Sequence, residues 1–324
     1  MKLVIQIPAF NEEKTLPQTL RDLPRSIPGV DEIEILVVDD GSTDRTAEVA
    51  RACGAHQVLI LGSNRGLAYA FTRGLERAVF LGADIVVNTD ADNQYCGADI
   101  PKLIQPILEK HADFVVGCRP IAEHPEFGPM KKVLQMLGSL VLRLISKTTV
   151  ADAASGFRAF SRETCKRLFI YSRFSYCMES LIQAGNSHLR VASVDIRINP
   201  QTRSSRLYKS VPEYLWKSGA TMLAMFIIYR PGRFFGSLAV LCLTAAVTLG
   251  LRFIFLIYIT PPLEPTKIYH VPSLILAAIL AISGVLLLAL GILGELIRSH
   301  RALTEEALFQ LRRQVAEHPP KSSL

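Results

Sequence analysis

Two acidic clusters, about fifty residues apart, each follow a short run of apolar residues. The first run ends in Asp39 and Asp40, and the second leads to Asp90 and Asp92. Runs this short and this rich in β-branched residues predict buried parallel strands rather than helices. Carboxylates at the carboxyl ends of such strands lie in the crevice where open α/β sheets bind ligands. Because crowded carboxylates repel one another, the pattern favours a divalent metal that carries a diphosphate, and therefore an enzyme that handles a nucleotide.

Strand and helix patterns alternate along the first third of the chain. Strands are predicted at residues 3–7, 33–38, 57–60, 85–88 and 114–116. Helices are predicted to begin near Glu12, Thr43, Gly66 and Asp99. The second of these helices is expected to be capped by Ser42 or Thr43. The alternation indicates βαβ units, and hence an α/β fold with a mainly parallel sheet.

Two apolar segments, 234–259 and 271–297, are each long enough to cross the hydrocarbon core of a membrane. Basic residues stand just outside both segments, at Arg230, Arg233, Arg298, Arg301, Arg312 and Arg313. The short connection between the segments carries little positive charge, so the positive-inside rule predicts a hairpin with both ends cytosolic. Beside such segments, the formal net charge of +7 favours anionic lipid headgroups as partners. No nucleic-acid-binding module is recognisable, so nucleic acid is not expected as a partner.

The sequence therefore predicts a chain of four regions. They are a cytosolic α/β domain at 1–210, a juxtamembrane interfacial helix at 211–233, two transmembrane helices at 234–297 and a cytosolic tail at 298–324. The expected location is a membrane, crossed more than once, with the first domain and both termini cytosolic; in a bacterium this is the inner membrane. An apolar segment with a basic stripe, 130–147, is interpreted as an interfacial helix, and a half-buried domain helix is the alternative. The chain opens on a strand pattern, so no signal peptide is expected.

Six short pieces of the sequence, taken in order, resemble glycosyltransferase family 2. They are Ile7-Pro-Ala-Phe-Asn11-Glu-Glu13, Val37-Val-Asp39-Asp-Gly-Ser-Thr-Asp44, Asn64-Arg-Gly66, Asp90-Ala-Asp-Asn-Gln94, Val116-Gly-Cys-Arg119 and Asp152-Ala-Ala-Ser-Gly-Phe-Arg158. The resemblance runs from residue 3 to about residue 210. Within the family it points to the polyprenyl- and dolichyl-phosphate sugar synthases, of the dolichol-phosphate mannose synthase type, many of which also have two C-terminal spans. It implies a GT-A fold, which is a nucleotide-sugar-binding α/β domain.

The resemblance also implies roles for individual residues. Asp90-Ala91-Asp92 matches the D-x-D element of the family, with Asp92 as the first metal ligand and Gln94 as the second. Because these ligands are oxygen atoms, the expected metal is Mg²⁺ or Mn²⁺. In similar enzymes the first loop walls the nucleobase and ribose, and basic groups hold the diphosphate. Donor binding is thus implied for Pro8, Ala9, Asn11, Glu13, Asp39, Asp90, Ala91, Arg119, Arg203, Arg206 and Lys209.

Asp152 belongs to a piece that resembles the acceptor-side motif of these synthases. Together with Asp92 it is the residue expected to act in catalysis, either as a general base or as a group that orients the acceptor. A purely structural hydrogen-bonding role is the alternative. A lipid phosphate, with a second pKa of about 6 by analogy with phosphoserine, is largely dianionic near neutral pH and needs little activation. Arg158 is expected to bind phosphate or to pair with nearby carboxylates.

These residues predict an inverting, metal-dependent glycosyltransferase. It would move a hexose from a GDP- or UDP-sugar to a polyprenyl phosphate, dolichyl or undecaprenyl, at the cytosolic membrane face. The expected partners are the nucleotide sugar, the lipid and the membrane. The sequence leaves open whether the chain forms a homo-oligomer. One alternative keeps the chemistry and changes the acceptor to a glycan or another lipid. A second alternative is a catalytically silent membrane protein that serves as a scaffold for a transporter.

Overall fold

The computed structural model of the chain describes residues 1–120, 143, 146, 148–170, 176–200, 219–220, 223–258 and 271–317. The basic loop with Arg203, Arg206 and Lys209 lies outside these residues, as does the predicted interfacial helix at 130–147 apart from residues 143 and 146. The chain divides into two compact units. The first is Met1–Met222 with Glu305–Leu324, and the second is Leu223–Thr304.

The first unit follows the predicted alternation of strands and helices. Its strands are β1 (Lys2–Ala9), β2 (Glu32–Asp39), β3 (Gln57–Ile60), β4 (Ile85–Asn88), β5 (Phe114–Cys118), β6 (Arg158–Ser161) and β7 (Val191–Asp195). Its helices are α1 (Leu16–Arg21), α2 (Thr46–Ala52), α3 (Leu67–Phe80), α4 (Ile100–Leu108), α5 (Arg162–Arg167) and α6 (Tyr176–Asn186). The strands predicted from the apolar runs are confirmed as β1 to β5. The four predicted helices begin one to four residues later than expected.

All of these strands belong to one 7-stranded sheet of order β3-β2-β1-β4-β6-β5-β7. Strands β1 to β4 are mutually parallel, and β5 is parallel to β7. Strand β6 runs antiparallel between β4 and β5, with Asn88 opposite Arg158. The prediction of a mainly parallel sheet is therefore confirmed. The reversed strand matters for the site because it brings the residues just before β6 to the carboxyl ends of β4 and β5.

The core lies on both faces of the sheet. Successive side chains of a strand point to opposite faces, so Leu3, Ile5 and Ile7 of β1 pack with the apolar side chains of α1 and α4. Each such side chain stabilises the fold by about 1.5–3 kcal/mol when fully buried. On the other face Gln6 lies under α3, where a Cβ on Gly74 would stand only 2.5 Å from the Gln6 amide oxygen. A glycine is needed there because the helix passes so close to the strand.

The start of α2 differs from the prediction that Ser42 or Thr43 caps it. The helix begins at Thr46, and the Asp44 carboxylate accepts hydrogen bonds from the Thr46 backbone N–H (3.0 Å) and from the Thr46 hydroxyl. The two residues expected as caps bind the first loop instead. The Asn11 N–H donates to the Ser42 hydroxyl (2.9 Å), and the Thr43 N–H donates to the Asn11 side-chain oxygen (2.8 Å). The cap was mistaken because these groups meet a loop that is distant in the sequence.

The second unit contains α7 (Pro231–Tyr258) and the greater part of α8 (Val271–Glu317). Both helices are long and apolar enough to cross a membrane, with mean hydropathies of 2.3 and 2.8 over their most apolar stretches. They approach closely at glycines, since a Cβ on Gly284 would stand 2.7 Å from the Leu243 side chain. Helix α8 continues past residue 297, so much of the predicted tail at 298–324 is helical.

Candidate active site

One edge of the sheet collects the candidate residues. Parallel strands end at the same edge, so Asp39 at the end of β2 and Asp90 after β4 lie along it. Arg119 follows β5 at this edge. Because β6 runs the other way, its amino end meets the same edge and brings Asp152 and Gly156 with it. The sheet topology thus joins segments that are up to about 120 residues apart in the chain.

The acidic cluster after β2 is bonded to its own backbone. The buried Asp39 carboxylate accepts a hydrogen bond from the Ser42 N–H (3.0 Å) with one of its oxygens. The buried Asp40 carboxylate accepts from the N–H groups of Arg65 (3.0 Å) and Gly66 (2.8 Å), at the start of α3. Asp40 is therefore a structural residue that satisfies the first amides of a helix. Asp39 keeps one oxygen that receives no hydrogen bond from the described residues.

The first loop, predicted to wall the nucleoside, is fastened to the same turn. Pro8 and Ala9 are buried at the end of β1, beside β2. Asn11 adopts a left-handed conformation (φ 55°) and is held by the turn after β2. The Glu13 carboxylate accepts a hydrogen bond from the Arg45 N–H (3.2 Å) at the start of α2. Both polar side chains thus shape the loop, and donor binding by either residue stays a prediction.

The cluster after β4 is of a different kind. Asp92 accepts a hydrogen bond from the Gln94 N–H (3.1 Å), and buried Ala91 accepts one at its carbonyl from the Thr19 hydroxyl (2.9 Å). For Asp90, no hydrogen bond from another described residue is found. Burial, followed by the neighbouring Asp92 carboxylate, raises the pKa of Asp90 to about 7. Two oxygen-donor carboxylates that crowd together in this way fit a hard divalent cation.

The ligand set of such a cation would be incomplete with protein groups alone. In the described parts of the chain, no three side chains among His, Cys, Asp and Glu gather at a potential metal position. Asp92 and the Gln94 amide would supply two oxygen ligands, and Asp90 lies beside them. Mg²⁺ commonly keeps open positions for substrate phosphates and water, so a sparse set suits a metal that arrives with a diphosphate.

The metal loop, defined as residues 90–96, is anchored by a segment that sequence reasoning missed. The Asn199 N–H donates to the Gln94 carbonyl (2.9 Å), and its side-chain amide donates to the Asn93 carbonyl (3.0 Å). Two residues earlier, Arg197 forms a bidentate ion pair with Asp99 (2.6 Å at its closest). These contacts join residues about one hundred positions apart in the chain. They hold Asn199, which precedes the basic loop in the sequence, beside Gln94.

Arg119 and Asp152 form a buried ion pair. Two guanidinium nitrogens of Arg119, Nε and Nη2, donate to the two Asp152 oxygens at 2.7 and 3.0 Å. The Asp152 side chain is fully buried, whereas 13% of the Arg119 side chain remains exposed. Both oxygens of the Asp152 carboxylate thus accept charge-assisted hydrogen bonds from one guanidinium, which fixes the orientation of the two side chains. The ion pair fits both the orienting role, here through Arg119, and the structural alternative for Asp152, and the choice between them stays a prediction.

Arg158 corrects a prediction. It was expected to bind phosphate or to pair with carboxylates, but it is fully buried and donates to three backbone carbonyls. The acceptors are the carbonyls of Ala153, Ser155 and Cys177, each at 2.7 Å. A further bond goes to the Ser180 hydroxyl (2.8 Å). Arg158 therefore ties the loop before β6 to α6, a role that spacing in the sequence does not reveal.

Comparison with known proteins agrees with this architecture. The family model described as "Glycosyl transferase family 2" matches residues 4–169, about half of the chain. The protein is thus a glycosyltransferase, an enzyme that transfers a sugar. More narrowly, the chain belongs to glycosyltransferase family 2.

Similar sequences include a UDP-N-acetylglucosamine–dolichyl-phosphate N-acetylglucosaminyltransferase from Methanococcus voltae. It is 34% identical over 213 residues, which cover 59% of this chain and 83% of the relative. An undecaprenyl-phosphate mannosyltransferase from Micrococcus luteus is 30% identical over 174 residues, 52% of this chain and 70% of the relative. Among solved structures, glucosyl-3-phosphoglycerate synthase from Mycobacterium tuberculosis, with Mn²⁺, UDP and phosphoglyceric acid, is similar in fold. Its TM-score is 0.53 at 22% identity, over 70% of this chain and 77% of that one, and it supports the GT-A-like α/β fold.

Proposed function

We propose that this glycosyltransferase moves a hexose from a GDP- or UDP-sugar to a dolichyl or undecaprenyl phosphate, with inversion at the anomeric carbon and with Mg²⁺ or Mn²⁺. One observation carries the proposal. The two crowded carboxylates of the metal loop and the Arg119–Asp152 pair lie at the same edge of the sheet, as donor and acceptor phosphates require. The names of the relatives from Methanococcus voltae and Micrococcus luteus support a polyprenyl phosphate as the acceptor.

On the donor side, Asp92 and Gln94 would hold the metal, and Asp90 and Asp39 would bind the ribose and the base. When bound, the divalent ion supplies positive charge to the diphosphate that leaves. Asp39 has a carboxylate oxygen without a hydrogen bond from the described residues, which suits a base N–H or a ribose hydroxyl. The metal loop is fastened through Asn199, so these oxygens are held in place before the donor binds.

On the acceptor side, Arg119 would hold the lipid phosphate. Asp152 takes up two of its donors and fixes the plane of the guanidinium, and the remaining N–H groups suit phosphate oxygens. The phosphate is nucleophilic near neutral pH, so the reaction needs no protein base. A phosphate oxygen forms a bond to the anomeric carbon while the bond to the diphosphate breaks and its electron pair leaves with the diphosphate. Displacement from the opposite side inverts the carbon.

Arg203, Arg206 and Lys209 lie outside the described residues, and we assign them to the leaving diphosphate. The support is chain reach. Asn199 is bonded to the metal loop, and Arg203 follows four residues later, within about 14 Å at full extension. Negative charge grows on the diphosphate as it departs, and basic side chains stabilise that charge.

The membrane supplies the lipid. Helices α7 and α8 are apolar enough to span a bilayer, and their arginine-rich flanks favour a cytosolic position for both ends. A polyprenyl phosphate keeps its chain in the bilayer and its phosphate at the surface. Membrane attachment therefore confines enzyme and acceptor to the same plane and reduces the entropy lost when they meet.

The experiment that tests the proposal is a transfer assay with purified protein in detergent. It contains Mn²⁺, a panel of GDP- and UDP-sugars and undecaprenyl phosphate, with the Asp92→Ala variant as control. Lipid-linked sugar that disappears in the variant is the expected result, and the panel identifies the donor. If a donor binds in an Asp92-dependent way but no lipid product forms, a glycan or another lipid becomes the favoured acceptor. If the protein neither binds nor hydrolyses any donor, the result would favour the catalytically silent scaffold.

A further inference from the structure

The carbonyl and the N–H of Gly156 each form a hydrogen bond with a buried side chain. Its carbonyl accepts a hydrogen bond from the Asn88 side-chain amide (2.9 Å), and its N–H donates to the Tyr95 hydroxyl (2.9 Å). Asn88 ends β4, Tyr95 belongs to the metal loop, and Gly156 precedes β6. We call Asn88 and Tyr95, with the peptide between them, the Gly156 clamp. It joins three segments that meet only in the folded chain.

Each arm of the clamp is itself fixed. The side-chain oxygen of Asn88 accepts a hydrogen bond from the Gln6 side-chain amide (2.9 Å). The NH₂ group of Asn88 also donates to the Tyr176 hydroxyl (3.1 Å). The Tyr95 ring stacks on Phe157 with centroids 5.2 Å apart. The amide oxygen of Gln6 is buried and has no hydrogen-bond partner among the described residues.

The clamp lies between the two halves of the active site. A Cβ on Gly156 would stand 3.0 and 3.1 Å from the Asp90 oxygens, so the backbone of Gly156 walls the Asp90 carboxylate. The same loop carries Asp152, four residues earlier, and through it Arg119. Any shift of Gly156 along its peptide plane would therefore change the distance from Asp90 and Asp92 to Arg119. Asn88 and Tyr95 prevent that shift.

We propose that Asn88 and Tyr95 are positioning residues that set the register between the donor-side carboxylates and the acceptor-side arginine through the peptide of Gly156. The inference rests on the proposed function and deepens it. Neither residue is needed to touch a substrate. The reason is geometric, because transfer requires the acceptor oxygen, the anomeric carbon and the leaving diphosphate in line.

The Tyr95→Phe variant is the sharpest test. It keeps the ring that stacks on Phe157 and removes only the oxygen that accepts from Gly156. We expect kcat to fall by about 10- to 100-fold, because a misplacement of about an ångström costs on that order. The KM values for donor and lipid should change less than about threefold, because every group that binds them remains. Asn88→Asp should act in the same way, since its second oxygen would face the Gly156 carbonyl.

The matched control is Thr164→Val, which also removes one buried hydroxyl. That hydroxyl donates to the Asp113 carbonyl (2.9 Å), before the amino end of β5 and away from the crevice. Thermal midpoints should fall by similar amounts in Tyr95→Phe and Thr164→Val, whereas kcat should fall only in the former. An unchanged kcat in Tyr95→Phe, or an equal loss in Thr164→Val, would overturn the inference.

The two proposals fail in distinguishable ways. If the wild type makes no lipid-linked sugar from any donor, the proposed acceptor is wrong, and the clamp is then judged on metal-dependent hydrolysis of the donor. We expect the Tyr95→Phe variant to hydrolyse the donor more slowly than the Thr164→Val variant, as for transfer. Absence of transfer and hydrolysis in the wild type would overturn both proposals.

Discussion

The acidic clusters that follow β2 and β4 look alike in the sequence and differ in the structure. After β2, Asp40 and Asp44 accept hydrogen bonds from the starts of α3 and α2. Burial acts to raise the pKa of Asp44, but the hydrogen bonds from Thr46 outweigh it and leave that pKa below its ordinary value. After β4, burial and Asp92 raise the pKa of Asp90 to about 7. The carboxylates of the first cluster are stabilised by hydrogen bonds from helix starts, whereas at Asp90 burial and the neighbouring carboxylate disfavour the charged form.

The difference comes from the donors that the fold supplies. The turn after β2 meets two helix starts, whose first amides have no partner within the helix and bond the carboxylates. In the metal loop after β4, the Gln94 N–H donates to Asp92, the carbonyls of Asn93 and Gln94 accept from Asn199, and no hydrogen bond from another described residue reaches Asp90. Carboxylates that the protein itself satisfies are structural, and carboxylates that it leaves in need of positive charge are available for a ligand.

Replacing Asp92 by Asn should lower sugar transfer by about a thousandfold, as expected for the loss of a charged group that stabilises the transition state. The matched change in the other cluster, Asp44→Asn, should leave transfer close to wild type, because an Asn oxygen still accepts from the Thr46 N–H. The measurement is the initial rate of transfer at saturating Mn²⁺. Comparable losses in the two variants would break the contrast.

Gly156→Ala should lower transfer by about tenfold or more, and the free energy of unfolding by about 1–3 kcal/mol, through overpacking. The added methyl would stand 2.8 Å from the Tyr176 hydroxyl and 3.0 Å from an Asp90 oxygen. Gly250→Ala in α7, where an added Cβ would meet no described atom within 4 Å apart from its chain neighbours and the nearby backbone of its own helix, is the control for a new methyl group. Rates and thermal midpoints of both variants check the prediction, and a fully active Gly156→Ala enzyme would contradict it.

Asp40→Ala should destabilise the first unit by about 1–2 kcal/mol, because the amides of Arg65 and Gly66 lose their acceptor. The readout is the thermal midpoint measured without nucleotide, so that changes in ligand binding do not enter. The exposed Asp31, paired only with the chain's amino terminus among its described contacts, supplies the control Asp31→Ala, which should leave the midpoint unchanged. If Asp40→Ala is as stable as wild type, Asp40 is not the structural member of its cluster.

The stability contribution of Asp44 should depend on pH. Its pKa in the folded protein lies below the ordinary value of 3.8, so the stabilisation is present above about pH 4 and is lost as the pH falls through the lower, folded value. Asp44→Asn does not titrate at this position. The difference in thermal midpoint between wild type and variant should therefore shrink as the pH falls from 7 to 3. A difference that stays constant would show that the charge of Asp44 contributes nothing.

Much of the fold was predictable because the signals are local. The strands β1 to β5 follow from apolar runs, and the two long helices follow from unbroken apolar composition. The D-x-D element was recognisable from its resemblance to the family motif, and the structure places Ala91 and Asp92 in a turn after β4 rather than in extended backbone. These predictions depend on residues that are neighbours in the chain.

The amino-acid sequence by itself determined the α/β alternation, the two long apolar helices and the identity of the acidic and basic groups at the strand ends. Only the tertiary structure decided which of those charges the protein satisfies. Arg158 is bonded to three carbonyls, Asp40 to two amides, and Asp152 to Arg119. The antiparallel strand β6 brings Gly156 against Asp90, and Asn199 reaches the metal loop from about one hundred residues away. The reason is physical, because whether a charge is structural or functional depends on the donors and acceptors within about 3 Å, and distant segments supply these.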